Sequence, residues 1–255
     1  AKSGGTDFTS SLIIGHQTTG TLSSAEKNTA VGYTTLDSIT SGEKNTAVGF
    51  QSMTANTTGS SNVAYGGYSL DANQDGDDNV AIGNSALGSN ISGDDNTAVG
   101  RLALSANTTG AHLVAVGTNA LAANTTASYN VAVGKGSLNA NTTGISNVGV
   151  GYNTLLVNTT ANNNTAVGHD SLKANTTGAE NTAVGKGALN ANTTAANNTA
   201  VGRSALLVNT TGTENVSLGS LSSDAGTIAS YNVAVGHGAL TTNVASDKNT
   251  AIGHS

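Results

Sequence analysis

The sequence predicts an all-β fold, a parallel β-solenoid in which each coil is one seventeen-residue repeat. Glycines recur at every seventeenth position from Gly15 to Gly253, fifteen times without a change of phase. Short runs of β-branched and small residues precede each glycine, which is typical of β-strands. A repeat of this length is also too short for a pair of helices, whose repeats run above about 30 residues. The repeat covers residues 11–255 as one continuous solenoid, and residues 1–10 lie outside it.

Each coil is predicted to contain two short strands. We number the repeat in slots so that the recurring glycine is slot 5, which places slot 1 at positions 28, 45, 62 and so on in equal steps. The consensus is Asn-(Thr/Val)-Ala-Val-Gly-x-x-(Ala/Ser)-Leu-x-Ala-Asn-Thr-Thr-(Gly/Ala)-x-x. Slots 1 to 5 form the first predicted strand, and slots 8 to 12 form the second. Neighbouring coils then pair as parallel ladders about 4.7–4.9 Å apart.

Alternation along the first strand predicts which side chains are inside. Slots 2 and 4 are expected to face the core opposite Leu at slot 9, and slots 1, 3 and 5 to face outward. Slot 3 is Ala in twelve of fifteen copies, and a solvent face does not need Ala, so a partner chain is expected to approach there. This predicts a homotrimer or another close oligomer; the alternative is a single solenoid whose Ala column suits a flat strand. The predicted oligomer face includes Asn28, Ala30, Asn45, Ala47, Asn164, Ala166, Asn181 and Ala183.

Composition excludes several classes of function. Charged residues make up 9% of the chain and aromatic residues 3%, and the net charge is −6 with no cysteine. The acidic balance argues against a nucleic-acid partner, and the chain has no run of about 18 apolar residues that would insert into a membrane. A thin coil offers no sizeable pocket and the sequence has no nucleophile elbow, so we expect no enzymatic activity.

Basic and aromatic residues collect at slot 6, directly after the recurring glycine. The variable slots are expected to be exposed turns, where such a row would suit binding of a cell-surface glycan or receptor. The alternative is a solvated turn that binds nothing. The predicted surface-binding edge consists of Tyr33, Phe50, Arg101, Tyr152 and Arg203.

Acidic residues collect at slots 16 and 17 and are densest in two successive coils. Asp77 and Asp94 are one repeat apart, as are Asp78 and Asp95. Stacked carboxylates repel one another, and a Ca²⁺ ion with oxygen ligands would relieve that repulsion. These four residues are therefore a candidate calcium site, and calcium is the single candidate cofactor. The alternative is a set of screened surface acids with no cofactor.

The triplet Asn-Thr-Thr at slots 12 to 14 allows three interpretations. Each copy is formally an acceptor for N-glycosylation. The favoured interpretation is that Asn and Thr bond the backbone at the second turn and stack as ladders. The third is ice binding through an array of threonines. The triplets begin at Asn56, Asn107, Asn124, Asn141, Asn158, Asn175, Asn192 and Asn209.

The strand sequences resemble those of a known family. Asn-Thr-Ala-Val-Gly or Asn-Val-Ala-Val-Gly at residues 28–32, 130–134 and 181–185 resembles the head repeats of YadA-type trimeric autotransporter adhesins. The longer repeat, with Ala-Leu and Asn-Thr-Thr-Gly, is similar to repeats in bacteriophage tail-fibre proteins. The resemblance covers residues 11–255 and implies a left-handed parallel β-roll arranged as a side-by-side homotrimer. The head repeats of the bacterial family are usually shorter, so the loops are expected to differ.

The expected function is a structural and adhesive fibre module, a phage tail-fibre shaft or receptor-binding segment on a virion surface. A bacterial trimeric surface adhesin head, also extracellular, is the alternative, and an ice- or glycan-binding solenoid is the second. The expected partners are further copies of the chain and a cell-surface glycan or receptor.

Overall fold

The computed structural model describes residues 24–255 together with the backbone of two strands, Lys2–Ser3 and Leu12–Ile14. The predicted boundary between residues 10 and 11 lies outside the described residues. The chain divides into two compact units, unit 1 (residues 1–128) and unit 2 (residues 129–255). Each is a parallel β-solenoid with the predicted period and without a helix among the described residues.

The strands of each unit follow one another in chain order. Unit 1 contains β1 (Lys2–Ser3), β2 (Leu12–Ile14), β3 (Thr29–Val31), β4 (Thr46–Val48), β5 (Val63–Tyr65), β6 (Val80–Ile82), β7 (Thr97–Val99) and β8 (Val114–Val116). Unit 2 contains β9 (Val131–Val133), β10 (Val148–Val150), β11 (Thr165–Val167), β12 (Thr182–Val184), β13 (Thr199–Val201), β14 (Val216–Leu218), β15 (Val233–Val235) and β16 (Thr250–Ile252). β1 is antiparallel to β2, and the strands from β2 to β8 and from β9 to β16 pair in parallel.

The pairing register is one repeat throughout. In unit 1 Ala30 lies opposite Ala47, and in unit 2 Ala166 lies opposite Ala183. Every slot therefore stacks on the same slot of the next coil. A slip of one residue would exchange the inner and outer faces of a strand, and none occurs in these ladders.

Each coil among the described residues contains one strand and not the predicted two. Slots 8 to 12 form turns, because the residues at slots 7 and 9 have left-handed backbone, as at Thr34 (φ 51°) and Leu36 (φ 51°). The backbone still bonds from coil to coil in this segment: the Leu36 N–H donates to the Ser52 carbonyl at 3.1 Å. The left-handed residues bury the side chains of both slot 8 and slot 9, which successive residues of an extended strand cannot do.

The predicted assignment of the two strand faces is wrong. Slots 1 and 3 point into their own coil, and slots 2 and 4 point outward. The residues predicted to contact a partner are all fully buried within the chain, at 0% exposure: Asn28, Ala30, Asn45, Ala47, Asn164, Ala166, Asn181 and Ala183. They are therefore not an oligomer face.

The physical reason is the narrow interior of the coil. At Gly149, which occupies slot 3 in β10, an added Cβ would lie 2.5 Å from Ser137 Oγ and 3.5 Å from Leu138 Cγ. The side chains of slots 8 and 9 thus already fill the space opposite slot 3. In most coils this space accepts the methyl group of Ala, as at the fully buried Ala132, but leaves no room for Val, so the β-branched residues lie outside.

Stacked asparagines supply much of the interior that apolar residues would fill in an ordinary domain. At slot 1, Asn62 Nδ2 donates to the Gly76 carbonyl at 2.8 Å, and Asn62 Oδ1 accepts the backbone N–H of Asn79 at 2.9 Å. At slot 12, Asn73 Nδ2 donates to Asn56 Oδ1 at 2.8 Å and to the Gly76 carbonyl at 3.0 Å. The side-chain amides of slot 1 and slot 12 therefore donate to the same backbone carbonyl, that of slot 15, which is Gly76 in this example. Buried amides are favourable only when bonded in this way.

Candidate functional site

The outward face of the strands is an exposed apolar surface. Slot 2 carries Thr or Val and slot 4 carries mostly Val, and in-register pairing places each slot in a column within its unit. At slot 4, Val31 is 37% exposed and Ile82 40% in unit 1, and Leu218 is 37% exposed in unit 2. We call slots 2 and 4 the strand face. Contiguous exposed apolar surface of this kind marks sites of interaction.

The side chains at slot 6 form a row along one edge of the strand face. Tyr33, Phe50, Arg101, Tyr152 and Arg203 are all exposed, as the predicted surface-binding edge requires. The backbone holds the row in register: the Gln51 N–H donates to the Tyr33 carbonyl at 3.1 Å. No bound molecule tests whether this edge binds a glycan, which stays a prediction.

The aromatic rings of this edge stack on one another. Tyr33 and Phe50 lie parallel with ring centroids 6.0 Å apart, and Phe50 meets Tyr68 edge-on at 5.3 Å. In unit 2, Tyr152 stacks on His169 at 5.2 Å. Each stacked ring has one face covered by its neighbour. A sugar would therefore meet ring edges and the remaining free faces.

The acidic cluster at slots 16 and 17 bonds the backbone. Asp77 Oδ1 accepts the N–H of Ser60 at 2.7 Å, and Asp94 Oδ1 accepts the N–H of Asp77 at 2.8 Å. Asp95 lies 3.4 Å from His112 Nδ1. Asp78 is exposed at slot 17.

These contacts account for Asp at slot 16 without a metal. The same acceptor role is filled by Ser128, whose Oγ accepts the Ala111 N–H at 3.0 Å, and by Asn162 toward Ile145 at 2.7 Å. A side-chain oxygen at this slot can bond the N–H of the preceding coil, and a carboxylate is one way to supply it, although Ala111 and Ile145 at the same slot have no such oxygen. Among the described residues, no group of three His, Cys, Asp or Glu side chains is placed to hold a metal ion.

The structure confirms the favoured interpretation of the Asn-Thr-Thr triplets. Asn175, at slot 12, is 0% exposed and donates to both Asn158 Oδ1 and the Gly178 carbonyl, so its Nδ2 is not accessible to glycosylation in the folded chain. Thr176, at slot 13, donates its hydroxyl to the Thr193 carbonyl at 3.0 Å. The second Thr of these triplets, at slot 14, is the exposed one.

One coil in unit 2 has a polar interior. It carries Ser217 at slot 3, Ser222 and Ser223 at slots 8 and 9, and Gly226 at slot 12, where the consensus has Ala, Ala or Ser, Leu and Asn. Ser217 and Ser222 hydrogen-bond through their hydroxyls. A cavity of about 10 Å³ lies beside Ser223 and Gly226. The simultaneous loss of three consensus residues in one repeat is the sequence signal that reveals this coil.

The slot 12 amide ladder is interrupted in this coil. Asn209 Nδ2 donates to Asn192 Oδ1 at 3.1 Å, but Gly226 brings no amide to Asn209 Oδ1. That oxygen is buried without a hydrogen-bond partner. A buried acceptor without a donor costs on the order of 1–3 kcal/mol.

Replacing Gly226 with Asn is expected to stabilise the protein by about 1–2 kcal/mol, because the new amide can donate to Asn209 Oδ1. Gly226 has no left-handed backbone, and an added Cβ would lie 3.3 Å from the Asn243 carbonyl, so the side chain fits with a small adjustment. Urea unfolding measures the change. Gly88→Asn is the matched control at a half-exposed turn, where a Cβ has a similar 3.3 Å neighbour but no ladder exists. Equal effects of the two variants would show that the ladder is not the cause.

The described part of the chain contains no helix long and apolar enough to cross a membrane. Comparison with known proteins finds no family model, no curated protein and no solved structure that matches this chain.

Proposed function

We propose that this chain is a structural and adhesive fibre module that associates side by side with further copies of itself. The observation that carries the proposal is the strand face, with its two columns of Thr, Val and Ile. A parallel sheet normally has both faces covered, and here one face is open to solvent. Burying apolar area contributes about 25 cal/mol per Å². A small gain in each coil would therefore add up along the many coils of a unit.

The proposed assembly is a homotrimer. Each coil has a single strand, so the sheet has one exposed face. In a closed ring of copies, this face points toward the centre of the ring in every copy. The number three comes from the resemblance of the strand sequences to trimeric adhesin heads. The proposed location is a virion surface, where the module would be the shaft or the receptor-binding segment of a tail fibre. A bacterial adhesin head is the alternative source of the same architecture.

Ice or glycan binding is a second candidate, favoured by one observation. Slot 14 presents exposed threonines in successive coils of unit 2, at Thr143, Thr160, Thr177, Thr194 and Thr211. The adjacent slot 13 hydroxyls are bonded to backbone carbonyls, so the exposed array is one column wide. An ice-binding solenoid would shape growing ice crystals, whereas a fibre shaft would leave them unchanged.

Light scattering tests the proposed association. We expect the wild type to have a mass about three times that of the 24.9 kDa chain. Val184→Lys/Val201→Lys should produce a folded monomer, because both side chains are outside their coils and 36% and 39% exposed. Thr177→Lys, which places the same charge at slot 14, is the control and should leave the oligomer intact. A monomeric wild type would overturn the proposal.

The fold of the Val184→Lys/Val201→Lys variant is checked by circular dichroism. Retention of the wild-type spectrum in a monomer would show that the strand face serves association and not the stability of the coil. An oligomer that persists in this variant would place the interface elsewhere on the chain. A glycan-array experiment with the same preparations would distinguish a binding head from a shaft, because only a binding head would bind the immobilised glycans.

A further inference from the structure

Every strand of the repeat is flanked by two outward positions, slot 17 before it and slot 6 after it. These two positions are six apart along the chain. At about 3.3 Å per residue, their Cα atoms lie up to roughly 20 Å apart across the strand face. They cannot contact each other within one coil. A contact between complementary residues at these two edges would therefore join two molecules.

The residue types at the two edges are complementary in five strands. Lys27 and Lys44 precede β3 and β4, which are followed by Tyr33 and Phe50 respectively. Asp95 precedes β7, which is followed by Arg101; and Glu180 precedes β12, which is followed by Lys186. Tyr129 precedes β9, which is followed by Lys135. The three pairs that contain an aromatic residue suit a cation–π contact, and the other two suit an ion pair. All ten side chains are exposed.

Among the described residues, neither Glu180 nor Lys186 forms an ion pair within the chain, so both charges are open to a partner. β16 is the exception, because Lys248 precedes it and His254 follows it. The remaining strands have no complementary pair at their edges.

We propose that slot 6 of one copy contacts slot 17 of the next copy at the same level, which sets the copies parallel and without stagger. The proposal rests on the self-association proposed above and names its register. In copies related by rotation about an axis along the coils, equal residues lie at equal heights. Phe50 then meets Lys44 of the next copy, Arg101 meets Asp95, and Lys186 meets Glu180.

A stagger of one coil forms fewer complementary pairs than the five of the unstaggered register. A stagger of one coil brings Lys186 opposite Asn163 or Asn197, depending on its direction. One direction forms three such pairs, Phe50 with Lys27, Arg101 with Asp78 and Arg203 with Glu180, and the other forms two, Tyr33 with Lys44 and Arg203 with Glu214. An exposed ion pair contributes only about 0–1 kcal/mol. Because each pair recurs at every interface of a closed ring, the pairs are sufficient to select a register even though the strand face supplies most of the affinity.

Charge reversal in the full chain tests the register. Lys186→Glu should raise the dissociation constant of the oligomer about tenfold at low salt, because the new carboxylate faces Glu180 of the next copy. Glu180→Lys should do the same, and the double variant should return to within about twofold of wild type. The coupling should vanish in about 1 M salt, where the Debye length is about 3 Å. If the wild type does not dissociate at accessible concentrations, the midpoint of thermal dissociation replaces the dissociation constant.

Arg203→Glu is the matched control. It reverses a charge at the same slot in the same unit, but the residue at slot 17 before that strand is Asn197. Combining it with Glu180→Lys should give the sum of the two single effects. An intact oligomer in which Lys186→Glu and Glu180→Lys are also additive would overturn the proposed register and leave self-association standing. A monomeric wild type would instead overturn the proposed self-association.

Discussion

Replacing Gly185 with Ala will destabilise unit 2 by more than about 4 kcal/mol or prevent its folding. Gly185 is at slot 5 with φ 135°, a conformation that side chains rarely adopt. An added Cβ would lie 2.5 Å from the Gly202 carbonyl oxygen and 2.6 Å from its carbon. Both atoms belong to the backbone of the next coil, which is held by inter-coil hydrogen bonds on each side of this position. The methyl group can be accommodated only by breaking that ladder.

Gly187→Ala is the control in the same coil. Gly187 also has left-handed backbone, with φ 68°, but an added Cβ would meet only Leu207 Cδ1 at 3.5 Å and Ser204 Oγ at 3.8 Å. Asp170 and Ser204 occupy the same slot with φ of 57°. We therefore expect a cost of about 1 kcal/mol, the ordinary penalty of left-handed backbone for a side chain. Urea unfolding monitored by circular dichroism compares the two variants. Similar losses of unfolding free energy in both variants would show that slot 5 is glycine because of its backbone conformation and not because of contact between coils.

Replacing Asn107 with Ala will cost about 3–5 kcal/mol of unfolding free energy, because two neighbouring asparagines lose a hydrogen-bond partner. Asn107 Nδ2 donates to Asn90 Oδ1 at 2.8 Å, and Asn107 Oδ1 accepts from Asn124 Nδ2 at 2.9 Å. All three side chains are fully buried. The variant leaves Asn90 Oδ1 without this donor and opens a cavity, so desolvation and packing losses add.

Asn84→Ala is the control in the same unit. Asn84 is exposed at slot 6 and donates to the Gly67 carbonyl at 3.2 Å, where water can replace it. Its loss should change the unfolding free energy by less than about 0.5 kcal/mol. Thermal and urea unfolding measure both variants. A loss below about 1 kcal/mol for Asn107→Ala would show that the slot 12 ladder contributes little net stability. In a repeat protein the damage is also expected to be local, with coils unfolding around the variant before the rest.

The sequence predicted the candidate surfaces unevenly. The exposed row with Tyr33 and Arg203 was predicted, because variable slots after a recurring glycine must lie in turns. Contacts of Asp77 and Asp94 with backbone N–H groups were not predicted, since a sequence does not show which N–H groups lack an acceptor. The interrupted ladder at Gly226 is visible in the sequence only as a departure from the consensus. Its consequence for Asn209 Oδ1 depends on which slots face inward.

By itself, the sequence determined the period and the register. Fifteen glycines in one phase require that each coil repeat the last, so that equal slots stack and parallel ladders form. Only the tertiary structure decided which face of the strand is buried, because alternation separates two sets of side chains but is symmetric between them. The interior opposite slot 3 is filled by residues such as Ser137 and Leu138, so it accepts Ala and leaves Val outside. The same packing placed left-handed residues at slots 7 and 9, where a second strand was predicted, because two adjacent side chains had to point into one narrow coil.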